Sequence, residues 1–175
     1  GFATWTAESQ AAPAPASTKS LSEGMQKGTP ELQSAGPATF APQGILLVGD
    51  AKGAKIFAIA TGDKPAGSPS GALKIEKIDE KIASLLGTTS KDILINDLAV
   101  NPETGSTFLT VSRGRGPDAT PVIVRVDSSG KLAEFSTKDV LFSQADLPNA
   151  PAADSKGRQE VTTDLQFTGG QVIVA

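Results

Sequence analysis

The sequence predicts an all-β fold of short antiparallel strands with one short helix. Three observations predict it. From Pro37 onward, short apolar runs rich in Val, Ile, Phe and Thr alternate with Gly, Asp, Asn and Pro, the pattern of strands joined by turns. Only one stretch places apolar residues at helical spacing. A strand–turn–strand pattern recurs three times at long intervals, as it does in repeat folds.

Composition narrows the chemistry. The chain has 175 residues, 38% hydrophobic and 20% charged, with a net charge of −3, enough for one domain and barely for two. It contains no Cys, His or Tyr. That excludes Cys/His zinc sites, disulfides, Ser-His-Asp and Cys-His triads, and any His general base. A pI near 5.0 with unclustered basic residues argues against a nucleic-acid partner. No apolar run approaches the ~20 residues of a membrane span. The tract Ala11-Ala12-Pro13-Ala14-Pro15-Ala16-Ser17-Thr18 resembles the spacers that follow bacterial signal peptides or lipid anchors, which predicts a secreted or periplasmic bacterial protein.

Residues 1–36 read as an extended, linker-like segment. They are rich in Ala, Pro, Ser and Gly without apolar periodicity, so they bury too little apolar surface to offset chain entropy. Phe2 and Trp5 in this segment are expected to be exposed rather than docked. Residues 37–175 form the predicted β domain. Its strand candidates are Ala38–Phe40, Ile45–Gly49, Lys55–Ala60, Ala72–Lys77, Asp97–Val100, Thr107–Ser112, Val122–Val126, Leu132–Phe135, Asp164–Phe167 and Gln171–Ala175. Between the fourth and fifth of these, Ile78, Ile82, Leu85 and Leu86 form a helical stripe. A helix is expected from about Asp79 to Leu86, capped by Asp79 and ended by Gly87. Asp127-Ser128-Ser129-Gly130 separates two strand candidates and reads as a hairpin turn.

The repeat organises these elements. Ala38–Gly44 followed by Ile45–Val48 aligns with Asp97–Gly105 followed by Thr107–Val111, and with Asp164–Gly170 followed by Gln171–Val174. Phe40, Val100 and Phe167 are then equivalent, giving periods of 60 and 67 residues. The first unit takes Lys55–Ala60 and Leu73–Glu76 as its third and fourth strands, and the second takes Val122–Val126 and Leu132–Phe135. Four-stranded antiparallel units at a regular period are β-propeller blades. The predicted fold is therefore a partial β-propeller with two complete units and the start of a third. The two complete units are expected to stack with Leu47, Ile56, Phe57, Leu98, Leu109, Val124 and Val126 between them. The surplus over common blade lengths falls in the helix and in Thr137–Glu160.

Val-Asn-Pro-Glu-Thr-Gly (100–105) followed by an apolar strand resembles the strand–turn–strand of bacterial YVTN- and NHL-type propellers. Gly44–Asp63 and Ile95–Pro102 are similar to a group of uncharacterised, secreted, propeller-like bacterial proteins. The resemblance covers residues 37–175. It implies a propeller fold, an N-terminal piece of a longer family member, and binding loops on the face that joins strands two and three.

Three features fall on that face. Ser112-Arg113-Gly114-Arg115-Gly116-Pro117-Asp118 sets Arg113 and Arg115 on a Gly-rich loop beside Asp118, where guanidinium forks suit a carboxylate or phosphate. The matching loop of the first unit, Gly49-Asp50-Ala51-Lys52-Gly53, offers Asp50 and Lys52. Asp97 and Asp164 each open the first strand of a unit. They are candidate ligands for Ca²⁺, a hard cation that takes oxygen donors, or else carboxylates that accept backbone N–H bonds at the junction between units. The loop Phe142–Glu160 is a third candidate, as an insertion.

The expected function is a non-catalytic binding or scaffold propeller whose loops hold a protein, peptide or glycan. The alternative is part of a glycoside- or lactone-type propeller hydrolase with catalytic residues partly outside this chain. Open strand edges are expected to pair with a missing C-terminal half or to self-associate.

Overall fold

In the computed structural model, residues 19–66 and 74–175 are described. Phe2, Trp5, the Ala/Pro tract and residues 72 and 73 of the expected fourth strand lie outside them. The elements are β1 (Gln26–Gly28), β2 (Ala38–Ala41), β3 (Ile45–Asp50), β4 (Lys55–Ala60), α1 (Ile78–Leu85), β5 (Ile93–Val100), β6 (Thr107–Arg113), β7 (Thr120–Val126), β8 (Leu132–Glu134), β9 (Val140–Asp146), β10 (Leu165–Thr168) and β11 (Gln171–Val174). Among the described residues the fold is mostly β, with antiparallel sheets and one α-helix, as the strand-like texture predicts. Three sheets carry it: β1-β9-β4-β3-β2, β5-β6-β7-β8 and the hairpin β10-β11.

Both faces of the five-stranded sheet are covered, which explains the unbroken apolar run in β3. Leu46 and Val48 join Phe57, Ile59 and Phe142 in a core shared with Ala99, Phe108 and Ile123 of the four-stranded sheet. Phe108 is its centre, meeting Phe40 and Phe135 edge-on at centroid distances of 5.3 and 5.5 Å. Ile45, Leu47 and Ile56 point the other way, onto Leu165 and Phe167 of the hairpin. Each strand thus divides its residues between two cores by simple alternation. The far face of the four-stranded sheet packs under α1, where Ile82, Ala83 and Leu86 meet Leu109, Val111, Val124 and Val126.

The helix carries Asp79 and Glu80 in its first turn. The cap differs from expectation: Lys77, in a left-handed conformation, precedes the helix, and no side chain caps it. The C-terminus ends as expected. Gly87 has φ 67°, its N–H donates to Ser84 O at 3.2 Å, and the Thr88 N–H donates to Ala83 O at 2.9 Å. This is the paired bonding of a Schellman stop.

Three expectations are corrected. The fourth strand of the first sheet is β9, from residues 140–146, pairing β4 from Lys55↔Asp146 to Ile59↔Phe142. Residues 74–77 form no strand. Part of the expected insertion is therefore sheet, because Phe142 supplies apolar surface that the edge of β4 requires. Second, of the residues expected between the stacked units only Phe57 lies there: Leu47 and Ile56 face the hairpin, Leu109, Val124 and Val126 face α1, and Leu98 is 56% exposed. A register shift between Ile95 and Asp97 sends Asp97 and Ala99 inward and leaves Leu98 and Val100 at an uncovered edge. Third, residues 26–28 of the linker-like segment pair with β9, and Ala35 is buried in the main core.

Candidate functional site

β2 lies against both β5 and β10, so the first strands of the three sheets begin side by side. A cleft of about 760 Å³ opens there. Its walls come from the approach to β2 (Gly36, Pro37), the β3–β4 turn (Ala51, Lys52), the bulge in β5 (Asn96, Asp97), the β6–β7 loop (Gly114–Pro117) and the approach to β10 (Thr162–Asp164). Leu94, Pro117 and Pro121 give it an apolar side.

The sequence candidates divide here. Lys52, Asp97, Arg115 and Asp164 line the cleft together. Arg113, at the end of β6, and Asp118, in a 3-10 turn, are exposed on the same loop but outside the lining. Asp50 lies beneath it, fully buried. Its carboxylate accepts the backbone N–H groups of Gln33 (2.8 Å), Ser34 (2.9 Å) and Gly53 (2.9 Å), and the Ser34 hydroxyl at 2.7 Å. Asp50 therefore clips the approach to β2 onto the β3–β4 turn, and its lone pairs are taken.

Asp97 is a junction clamp. One oxygen accepts the Ala38 N–H of β2 at 2.9 Å and the other accepts the Leu98 N–H at 2.8 Å. Asn96, the extra residue of the bulge, donates to Ala35 O at 2.7 Å and to Ser112 Oγ at 3.0 Å. Asp164 accepts the Leu165 N–H at 2.8 Å. Among the described residues, no group of three or more His, Cys, Asp or Glu is placed to hold a metal ion. The Asp97 and Asp164 carboxylates face backbone donors instead.

The cations are held differently. The Lys52 ammonium donates to Pro117 O at 2.6 Å and the Arg115 guanidinium donates through Nε to Lys91 O at 2.7 Å. Arg158 sits at a second cleft of about 430 Å³ that shares Lys52, Pro117 and Gln159 with the first. It donates to Lys52 O at 3.2 and 3.0 Å and to Pro151 O at 2.6 Å. Among the described residues, none of these three cations forms an ion pair with a carboxylate.

At the opposite end of the sheets the arrangement reverses. The Asp63 side chain is 1% exposed and pairs with Arg125 Nε at 2.5 Å. It also accepts from Asn101 Nδ2 at 3.2 Å and from the Thr104 hydroxyl. Arg125 donates onward to Ser106 Oγ at 3.0 Å and Lys64 O at 3.2 Å. The network ties the segment after β4 to the Asn101–Gly105 turn of the other sheet. Sequence reading missed it: the Asn-Pro-Glu-Thr-Gly turn is visible, but nothing in the chain marks Asp63 as its partner. Thr162 was also missed. It is 3% exposed, lines the cleft, and its hydroxyl has no hydrogen-bond partner among the described residues.

At the Asp127–Gly130 turn the sequence reading holds. The Asp127 carboxylate accepts from Ser129 Oγ (2.6 Å), Ser129 N (2.9 Å) and Lys131 N (3.0 Å). The Ser129 hydroxyl, then the Lys131 and Ser129 amides and the nearby Arg125 charge, hold this carboxyl below its ordinary value.

No family model, curated protein or solved structure matches the chain. Among the described residues, no helix is long and apolar enough to cross a membrane.

Proposed function

We propose that this chain is a non-catalytic binding module built as part of a β-propeller, with its ligand held in the cleft at the starts of β2, β5 and β10. Three features support the blade reading. The stacked sheets run from a first strand outward, β5-β6-β7-β8 and β2-β3-β4-β9. Their first strands are neighbours, and the loops between second and third strands share one end. The observation that carries the binding reading is the cleft itself, where polar and charged groups from three sheets converge on one opening.

A binding role suits the side chains better than a hydrolytic one. Glycoside cleavage needs two carboxylates free to act on the substrate, and both oxygens of Asp97 are engaged by backbone N–H groups. A secreted or periplasmic location accords with the Ala/Pro tract, and the partner is then a peptide, protein or glycan met outside the cytoplasm. The test is an amide-resolved NMR titration with neutral oligosaccharides, acidic sugars and short peptides. The expected result is that one class shifts the amides of Lys52, Asn96, Gly114 and Thr163 and leaves the β2–β3 and β5–β6 turns still. Silence of those amides to all classes, or turnover of an added compound, overturns the reading.

A further inference from the structure

Resting on that reading, we infer that the cleft is a site for a short peptide with free termini, its ammonium set against Asp164 and its carboxylate against Lys52 and Arg115. The lining is bipolar. Its carboxylates stand at the bulge within β5 (Asp97) and just before β10 (Asp164), whereas its cations, Lys52 and Arg115, stand on the β3–β4 and β6–β7 loops. Asp97 spends both oxygens on the backbone, but Asp164 spends only one, on the Leu165 N–H. The second Asp164 oxygen has no partner among the described residues. Asn96 spends both its N–H groups on Ala35 O and Ser112 Oγ, so its carbonyl oxygen also remains an acceptor. The strand end of the cleft thus asks for a donor carrying positive charge.

The loop end asks for the opposite. Lys52 uses one of three donors and Arg115 one of five. Both rest on neutral carbonyls, and among the described residues neither is paired with a carboxylate. A carboxylate takes charge-assisted bonds from such groups in a forked geometry. Between the ends, Leu94, Pro37, Pro117 and Pro121 offer apolar contact for a side chain. Among the described residues, no aromatic ring lines the cleft.

The Thr162 side chain packs beneath the cleft against β3, with its hydroxyl out of a ligand's reach. Gly49 leaves room for it: a Cβ on that glycine would meet Thr162 Oγ1 at 3.0 Å and Cγ2 at 3.1 Å.

The test titrates the full chain with Ala-Leu-Ala in three forms: free, N-acetylated and C-amidated. The free form is expected to shift the cleft amides, and blocking either end is expected to weaken binding about tenfold, the scale of one charge-assisted hydrogen bond. The Asp164→Asn variant should lose its preference for the free amine while keeping that for the free carboxylate. A Lys52→Gln/Arg115→Gln double variant should do the reverse. Thr162→Val, which keeps the shape beneath the cleft, should leave binding of all three forms unchanged. Thermal unfolding of each variant guards against a folding defect, and among the described residues none of these side chains forms an ion pair. Equal binding of the free and blocked peptides overturns the inference. So does binding of glucuronate or a neutral disaccharide in the cleft where the peptides fail, and in that case the binding-module reading survives. If no class of ligand moves the cleft amides, both fall.

Discussion

The polar turns at one end of the sheets and the cleft at the other use the same residue types in opposite ways. At the turn end, Asp63 and Arg125 pair directly, and Asn101, Thr104 and Ser106 take up the remaining bonds. At the cleft end, Lys52, Arg115 and Arg158 rest on carbonyl groups, while Asp97 and Asp50 accept backbone N–H groups. Opposite charges at the cleft are thus kept apart by giving each a backbone partner. The first arrangement uses charge to join two sheets. The second preserves charge for something else. The difference teaches that a charged residue is informative through its partner, since the same Arg is a strut when it meets a carboxylate and a vacant donor when it meets a carbonyl.

Substitutions at the two ends test that contrast. The largest effect is expected at Asp63. Replacing it by Ala takes the nearest carboxylate from the Arg125 guanidinium, 23% exposed, leaving Asp127 at 3.9 Å, and takes a hydrogen bond from Asn101, which is fully buried. Removing one partner of a buried pair costs about 3–5 kcal/mol, readable as a shift in the urea midpoint. A loss below ~1 kcal/mol would mean that the two ends do not differ in kind.

Asp50→Ala comes next. It orphans the Gln33, Ser34 and Gly53 amides, some of which regain water, so roughly 2–3 kcal/mol is expected. It should also raise hydrogen exchange in residues 33–36. Unchanged exchange there would show that the approach to β2 is held by packing alone.

A milder effect belongs to Asp127, whose carboxyl is held below its ordinary value. A lowered folded-state value stabilises the fold above the ordinary aspartate range and loses that contribution as pH falls from about 4 through the folded value. Asp127→Asn should flatten the acid side of the stability profile and leave pH 7 to 9 unchanged in slope. A profile with the same acid slope in both proteins would assign that slope to other carboxylates.

The smallest effects are expected where the sheets end in unneutralised charge or uncovered apolar surface. Lys52→Gln and Arg115→Gln should each change stability by less than ~0.5 kcal/mol. Leu98→Ala, at an exposed position, should fall in the same range, far from the ~2–5 kcal/mol of a core Leu. Calorimetry on the three variants checks this. A core-sized loss at Leu98 would mean that another surface covers the β5 edge in solution.

The legible part of the fold was local. Runs such as Lys55–Ala60 and Val122–Val126 declared strands because β-branched residues filled them, and Ile78–Leu86 declared a helix because its apolar spacing fits no strand. The Asp127–Gly130 turn carried its own bonding, with carboxylate and hydroxyl two residues apart. For the site, the Asp97 carboxylate was legible as a junction acceptor from its place at the head of a repeat. The Lys52 and Arg115 loops were legible as equivalent loops of equivalent units.

What the chain could not state alone was which distant segments would meet. β9 reads as loop because its apolar content is thin. It becomes a strand only where the edge of β4 offers unpaired N–H and C=O groups and a seat for Phe142. The bulge that turns Leu98 out and Asp97 in depends on pairing with β6, and alternation along an isolated strand has no means of announcing an inserted residue. The Asp63–Asn101 contact spans 38 residues and Thr162 meets Gly49 across the stack. Local propensity and turns were written in the sequence because they arise between residues near in the chain. The identity of the fourth strand, the burial of Asp50 and the convergence of Lys52, Asp97, Arg115 and Asp164 on one cleft arise between residues far apart, and packing alone decided them.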